Sequence, residues 1–224
     1  MRLFDEIERI NESAMGFAEP EFRFLDRCSR PEWEIIREEL ETWFSRYPSD
    51  AQAALHSRFR SDNDNHFRSA FFELFLHELL LKLECTVEIH PQLGEGTTRS
   101  PDFLAHGPSK TSFYLEACLA TDESDEQAGV KAVMNSVYDL LNEKLNSPNF
   151  LIGMNLYGSP TTQPSARRII NFLEKGLQPL DPDQIGDLYK KSGFGALPKL
   201  RYKHEDWEIE FYPIPKSTEA RGED

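Results

Sequence analysis

The sequence contains little cysteine. Its three cysteines, Cys28, Cys85 and Cys118, are widely spaced, and none forms a CxxC pair. An odd, scattered set fits reduced thiols better than a disulfide framework. The six histidines show no HExxH or comparable spacing, so nothing in the sequence predicts a structural zinc site.

Long hydrophobic runs are also lacking. The longest apolar stretch, Phe71 to Leu83, is interrupted by four polar or charged residues and is too short to span a bilayer. The first residues, Met1 to Arg9, are charged and offer no apolar core for a signal peptide. We therefore expect a cytoplasmic protein without membrane contact, ending in a solvated tail where the chain could be cut short.

Positive charge is scarce. Lysine and arginine number 25 against 39 aspartates and glutamates, which gives a formal net charge of -14. A chain this acidic cannot hold a polyanion through a broad basic surface, so any contact with nucleic acid must be local. The hydrophobic fraction of 39% and the 16 phenylalanines in 224 residues nevertheless predict a packed globule.

The order of predicted elements indicates an α/β fold. Helical periodicity predicts helices in the first 60 residues and a strongly apolar helix from about Asn65 to Leu83. Period-two alternation, apolar runs and turn signals then predict three strands, a helix and a further strand, followed by a helix and a β-hairpin. We expect an N-terminal helical extension over 1–60, an α/β domain over 61–216 and a tail over 217–224. The predicted ranges are helices at 2–14, 31–47, 65–83, 124–145 and 164–175, strands at 86–90, 101–105, 112–120 and 149–157, and a hairpin at 197–214.

Three carboxylates stand out within this order. Asp102 follows Pro101 at the head of one predicted strand, and Glu116 lies in the next one. The turn at His106 and Gly107 would bring the two together if the strands pair. Glu73 lies in the apolar helix, where a carboxylate needs a partner such as His77 or a metal ion. Converging carboxylates make a hard oxygen site that suits Mg²⁺ or Mn²⁺.

The pattern Pro101-Asp102 followed by Glu116-x-Cys118 resembles the PD-(D/E)xK nuclease superfamily. The resemblance covers roughly residues 65 to 157 and implies a restriction-endonuclease-like core, a central mixed β-sheet flanked by helices in the order α-β-β-β-α-β. It also implies that Asp102, Glu116 and the backbone carbonyl of Ala117 bind the metal. Glu73 would be the helix carboxylate that many members add.

Cys118 departs from the family pattern, because that position is usually a lysine that positions the attacking water. A neutral thiol does not perform this role. In some members the basic residue lies on a nearby element, and Lys131 and Lys110 are the candidates here. Arg99, Arg167 and Arg168 are further candidates for phosphate contacts.

The sequence thus predicts a metal-dependent nuclease that hydrolyses phosphodiester bonds in DNA or RNA, with nucleic acid as its partner. The alternative is a catalytically degenerate protein of the same fold that binds a protein partner through its N-terminal helices, where Trp33, Trp43 and Phe44 either cover the core or meet another chain. The missing lysine and the acidity favour the alternative. The oligomeric state is open.

Overall fold

The structure, a computed structural model, describes residues 1–93, 100–109, 111–120, 125–158, 162 and 164–222, with residues 125 and 126 described by their backbone alone. The described chain is of mixed α/β type, as the sequence predicts, and it divides into two compact units, Met1–Asp122 and Glu123–Asp224. The helices are α1 Glu21–Arg27, α2 Pro31–Arg46, α3 Gln52–Phe59, α4 Asp64–Lys82, α5 Asp125–Lys144, α6 Ala166–Leu177 and α7 Pro182–Ser192. The strands are β1 Thr86–Ile89, β2 Phe103–His106, β3 Ser112–Leu115, β4 Phe150–Tyr157, β5 Leu200–His204 and β6 Trp207–Pro215.

The first unit is built around α4, which packs against α1, α2 and α3. Asn63 begins this helix, because its side chain accepts a hydrogen bond from the backbone N–H of Asn65 at 2.9 Å. The shared core contains aromatic and aliphatic side chains from both sides of residue 60, and Trp33 and Trp43 cover it. The predicted helical extension and the predicted start of the α/β domain therefore share one core. Its buried members are Leu3, Phe4, Phe22, Leu25, Leu40, Phe44, Tyr47, Leu55, Phe59, Phe67, Ala70 and Leu74.

The sheet of the first unit consists of β1, β2 and β3 in that order, and both pairings are antiparallel. A smaller core lies between this sheet and α4. There Phe103 and Ala105, which alternate with more exposed residues along β2, pack with Leu80 and Cys85. This alternation is the one expected for a sheet with one covered face.

The second unit holds the sheet β4-β6-β5, again antiparallel throughout. Strands β5 and β6 form the predicted hairpin, and β4 pairs with β6 along its whole length, from Phe150 opposite Pro215 to Tyr157 opposite Glu208. Trp207, Ile209 and Phe211 point to one face of β6 and are buried against α5 and α6. Among the described helices, none has the length and apolarity that a bilayer crossing requires.

Two expectations from the sequence differ from the structure. Where the sequence predicts one central mixed sheet, the six described strands form two sheets of three, and every pairing is antiparallel. Residues 2–14 are not helical. Long-range contacts hold this segment in an irregular conformation: the N–H of Phe4 donates to Glu41, and Arg60 donates to the carbonyl of Leu3. These tertiary contacts override a helical periodicity that is only a weak preference.

Candidate functional site

Asp102 lies directly before β2, as the sequence predicts. Its backbone carbonyl accepts a hydrogen bond from the N–H of His90 at 3.0 Å, which extends the pairing of β1 and β2 by one residue. Its side-chain Oδ2 accepts a hydrogen bond from the N–H of Ala117 at 2.7 Å. The Asp102 carboxylate is therefore fixed against the segment that carries Glu116 and Cys118.

Glu116, Ala117 and Cys118 follow the end of β3 at Leu115, whereas the sequence predicts that this strand continues to Ala120. The Ala117 N–H bonds to a side chain instead of to the sheet, and this interaction accompanies the early end of the strand. In the register of β2 and β3, Phe103 is opposite Leu115. Asp102 and Glu116 are the next residues beyond this last pair of the ladder.

Glu116 and Cys118 are both exposed, and Ala117 is half-buried. The Glu116 carboxylate is thus accessible to solvent beside the partly buried Asp102. Cys118 is a free thiol. Residues 115–120 contain neither lysine nor arginine, so this segment itself supplies no cationic side chain.

Glu73 lies on the inner face of α4 and is 2% exposed. Its partners are not the ones that the sequence suggests. The hydroxyl of Tyr47 donates to Oε1 at 2.6 Å, and Nη2 of Arg58 lies 2.7 Å from Oε2. Both carboxylate oxygens are therefore engaged by protein groups, which compensate for the desolvation of the buried charge.

Tyr47 and His77 connect this ion pair to Asp102. The ring of Tyr47 packs edge-on against His77 at 5.0 Å between centroids, and His77 lies 6.4 Å from Phe103, the neighbour of Asp102. Burial, the hydrogen bond to Glu73 and the negative charges of Glu73 and Asp102 raise the pKa of Tyr47, while the positive charge of Arg58 opposes the rise. The phenol is thus within the electrostatic influence of Asp102 and Arg58 together.

His77 is 2% exposed, and its Nδ1 has no hydrogen-bond partner among the described residues. Burial lowers the pKa of this imidazole, the charge of Glu78 raises it, and that of Arg46 lowers it further. The side chain is therefore held in its neutral form. A neutral imidazole nitrogen without a partner is available to a water molecule or a ligand.

The candidates for the migrated basic residue and for phosphate contacts belong to the second unit or fall outside the described residues. Lys131 is an exposed residue of α5, in the second unit, and Arg167 and Arg168 are exposed in the first turn of α6. Lys110 and Arg99 fall outside the residues that the structure describes.

The number and type of oxygen ligands at Asp102, Glu116 and Ala117 determine which metal ion these residues could bind. Within the described ranges, no group of three or more His, Cys, Asp and Glu side chains is arranged to hold a metal ion. Mg²⁺, however, is commonly bound through one or two carboxylates and keeps several waters for substrate phosphate. Asp102, Glu116 and the carbonyl of Ala117 fit that smaller requirement. Glu73 does not join them as a free ligand, because Tyr47 and Arg58 occupy its oxygens.

Sequence reasoning did not identify Tyr47 and Arg58 as members of this site. Tyr47 follows the last residue of α2, and Arg58 lies in the last turn of α3. A buried glutamate in an apolar helix signals that some partner must exist, but the partner's identity depends on how three helices pack. Comparisons with known proteins add no guidance, since no family model matches this chain and no similar curated protein or solved structure was found.

Proposed function

We propose that this protein is a metal-dependent nuclease of the PD-(D/E)xK type, with a restriction-endonuclease-like arrangement around the β2–β3 hairpin. The observation that supports the proposal best is the hydrogen bond from the Ala117 N–H to Asp102 Oδ2 at 2.7 Å. It brings the Pro-Asp turn and the Glu-x-Cys segment together, as the sequence resemblance requires. Asp102 and Glu116 then offer two carboxylates where β2 begins and β3 ends.

In this proposal Asp102, Glu116 and the Ala117 carbonyl would hold Mg²⁺ or Mn²⁺. A bound divalent ion supplies an activated water and neutralises charge on the scissile phosphate. The residues of the chain have separate tasks. The Ala117 N–H orients Asp102, and the exposed Glu116 faces the solvent from which substrate arrives. Cys118, being neutral, adds no charge to the site, so positive charge must come from another residue or from the ion.

The test compares Asp102→Asn with the wild type. Asparagine retains an oxygen that can accept the Ala117 N–H but removes the negative charge, so the fold should persist while cleavage of plasmid and single-stranded DNA or RNA in Mn²⁺ is lost. The wild type should also melt at a higher temperature with Mn²⁺ than with EDTA, because an ion bound only to the native state stabilises it. The shift should disappear in Asp102→Asn.

Glu88→Ala is the matched control, since Glu88 is an exposed carboxylate on β1 of the same sheet. It should retain both the cleavage and the melting shift. Full cleavage by Asp102→Asn would contradict the site assignment.

A second candidate function, a catalytically degenerate nuclease-fold protein that binds another protein, has its own support. Glu73 is neutralised by Arg58 within the chain, and Cys118 occupies the lysine position. The outer side of α4 exposes the large apolar side chains of Phe71, Phe75 and Leu79, and Leu83 directly after the helix is exposed as well. Such a composition favours association. A wild type without any metal-dependent melting shift and without cleavage would favour this function.

A further inference from the structure

The neutral residue at position 118 leaves the proposed site without its expected cation. Phosphodiester chemistry builds negative charge on the phosphate, and a fixed positive group stabilises it. Within the first unit, Arg58 pairs with the buried Glu73, whose other oxygen bonds to Tyr47. Tyr47 packs on His77, and His77 lies near Phe103, the residue after Asp102.

The Arg58 side chain is fixed by its ion pair with Glu73 but is still accessible to solvent. This side chain is 36% exposed, whereas the Glu73 carboxylate that it contacts is 3% exposed. A guanidinium carries five N–H donors in a rigid fork, and the contact with Glu73 is made through Nη2. The remaining donors and the exposed surface are suited to a phosphate, which arginine binds through two parallel hydrogen bonds.

Tyr47 strengthens this arrangement. Its hydroxyl occupies the other oxygen of Glu73, so the carboxylate is fixed from two directions and in turn fixes the guanidinium. The packing of Tyr47 on His77 and of His77 near Phe103 joins the pair to the β2 strand that begins beside Asp102. This row of side chains leads from Arg58 to Phe103, the β2 residue that follows Asp102.

We propose that Arg58 is the cation of this site, that the buried Glu73 carboxylate positions it, and that it contacts a backbone phosphate of the nucleic acid in place of the lysine missing at Cys118. The proposal rests on the proposed nuclease function. It assigns Glu73 a role as a positioning residue rather than as a metal ligand. Arg58 itself would touch the substrate.

A twin ion pair on the same helix provides the control. Arg46 pairs with Glu78, which is 5% exposed, through Nη2 at 2.7 Å and through Nε at 3.0 Å. Both edges of that contact are therefore used within the protein. Lys82 Nζ also lies 3.8 Å from the Glu78 carboxylate, and no tyrosine hydroxyl of the described residues bonds to it. Removal of either pair takes away one positive charge and one buried negative charge. The two variants therefore differ mainly in whether the pair is joined through Tyr47 and His77 to β2.

The experiment measures the anisotropy of a short fluorescein-labelled DNA, single-stranded and duplex, with Ca²⁺, over a series of salt concentrations. Cleavage in Mn²⁺ is recorded in parallel for its KM and kcat. Arg58→Gln/Glu73→Gln should bind about tenfold more weakly, and the slope of log affinity against log salt should fall by about one phosphate contact. Arg46→Gln/Glu78→Gln should retain the affinity and the slope. Arg58→Lys should retain the salt slope, since the charge remains.

If the double glutamine variant does not fold, Arg58→Met/Glu73→Leu replaces the pair by apolar groups of similar size, a change that buried ion pairs often tolerate. Wild-type affinity and slope in a folded variant of either kind would overturn the role of Arg58 while leaving the nuclease intact. A wild type that neither binds nor cleaves would overturn both proposals. Cleavage that survives in Asp102→Asn but is lost with Arg58 would overturn the metal site alone.

Discussion

Each unit of this protein contains a buried glutamate that is held by a tyrosine and by basic side chains. In the helical unit, Glu73 receives the hydroxyl of Tyr47 and the guanidinium of Arg58. In the other unit, Glu210 receives the hydroxyl of Tyr212, Lys199 Nζ at 3.0 Å and Arg201 Nε at 2.9 Å. The two glutamates are equally inaccessible, each 2% exposed.

The difference lies in how each set of partners is supplied. The partners of Glu210 come from the same hairpin: Arg201 is directly opposite it on β5, and Tyr212 is two residues along β6. The partners of Glu73 come from the ends of two other helices. Glu210 is thus stabilised by local sheet geometry with two cations, while Glu73 depends on a single cation brought by tertiary packing. We call Glu73 with its partners the helical cluster and Glu210 with its partners the sheet cluster. We expect the loss of one partner to destabilise the protein more in the helical cluster.

The largest difference should come from removal of the arginines. Arg58→Ala leaves Glu73 with no cation and should lower the free energy of unfolding by about 3 kcal/mol, because an unpaired buried charge is strongly destabilising. Arg201→Ala leaves Lys199 in place and should lower it clearly less. Urea unfolding of both variants measures the two changes in the free energy of unfolding. Equal losses would contradict the idea that the second cation protects the sheet cluster.

Acid should act strongly on the sheet cluster. The hydrogen bond from Tyr212 and the contacts with Lys199 and Arg201 lower the pKa of Glu210 from 4.5 to about 2. A carboxyl with a lowered native pKa stabilises the fold fully above its unfolded pKa, and this contribution is lost as the pH falls from 4.5 toward 2. Melting of Glu210→Gln should therefore depend less on pH in that window than melting of the wild type. Parallel curves for the two proteins would show that the network does not lower this pKa.

Removal of the phenol hydroxyls should have a moderate effect. Tyr47→Phe takes away a hydrogen bond to a buried carboxylate and should lower the free energy of unfolding by about 2 kcal/mol. Tyr212→Phe should have a smaller effect, since Glu210 keeps two cations. Thermal melts at neutral pH measure both. A larger loss for Tyr212→Phe would reverse the expected order of the two clusters.

The smallest effect concerns His77. Burial lowers the pKa of His77 below its ordinary value of 6.5, so the unfolded chain binds this proton at a higher pH than the folded chain. Stability is therefore lost as the pH falls below 6.5. His77→Leu should be nearly neutral at pH 7, because Nδ1 has no described partner to lose, and it should reduce the loss of stability between pH 6.5 and 5. An unchanged pH profile would indicate that the imidazole is protonated or partnered in the folded protein.

Part of the fold could be predicted from local pattern. The helix α4, the hairpin of β2 and β3 and the pairing of β5 with β6 follow from signals within short stretches: an Asn cap, period-two alternation and turn residues. Such elements are specified by neighbours in sequence, so the sequence is sufficient for them. Asp102 at the start of β2 belongs to this group.

The remaining features depend on contacts between distant residues. The predicted helix over residues 2–14 gives way to an irregular segment because its backbone groups bond to Glu41 and Arg60. Strand β4, which resembles a buried core strand in sequence, pairs with β6, although residues 158–206 separate the two strands. No local pattern predicts which sheet such a strand joins.

The sequence by itself determined the mixed α/β class, the order of the elements around the Pro-Asp turn and the net acidity that argues against a broad basic surface. Only the tertiary structure decided that the Ala117 N–H fixes Asp102 and that Tyr47 and Arg58 occupy the oxygens of Glu73. The physical reason is that a buried charge demands a partner, whereas the choice among all the arginines and tyrosines of the chain is made by helix packing.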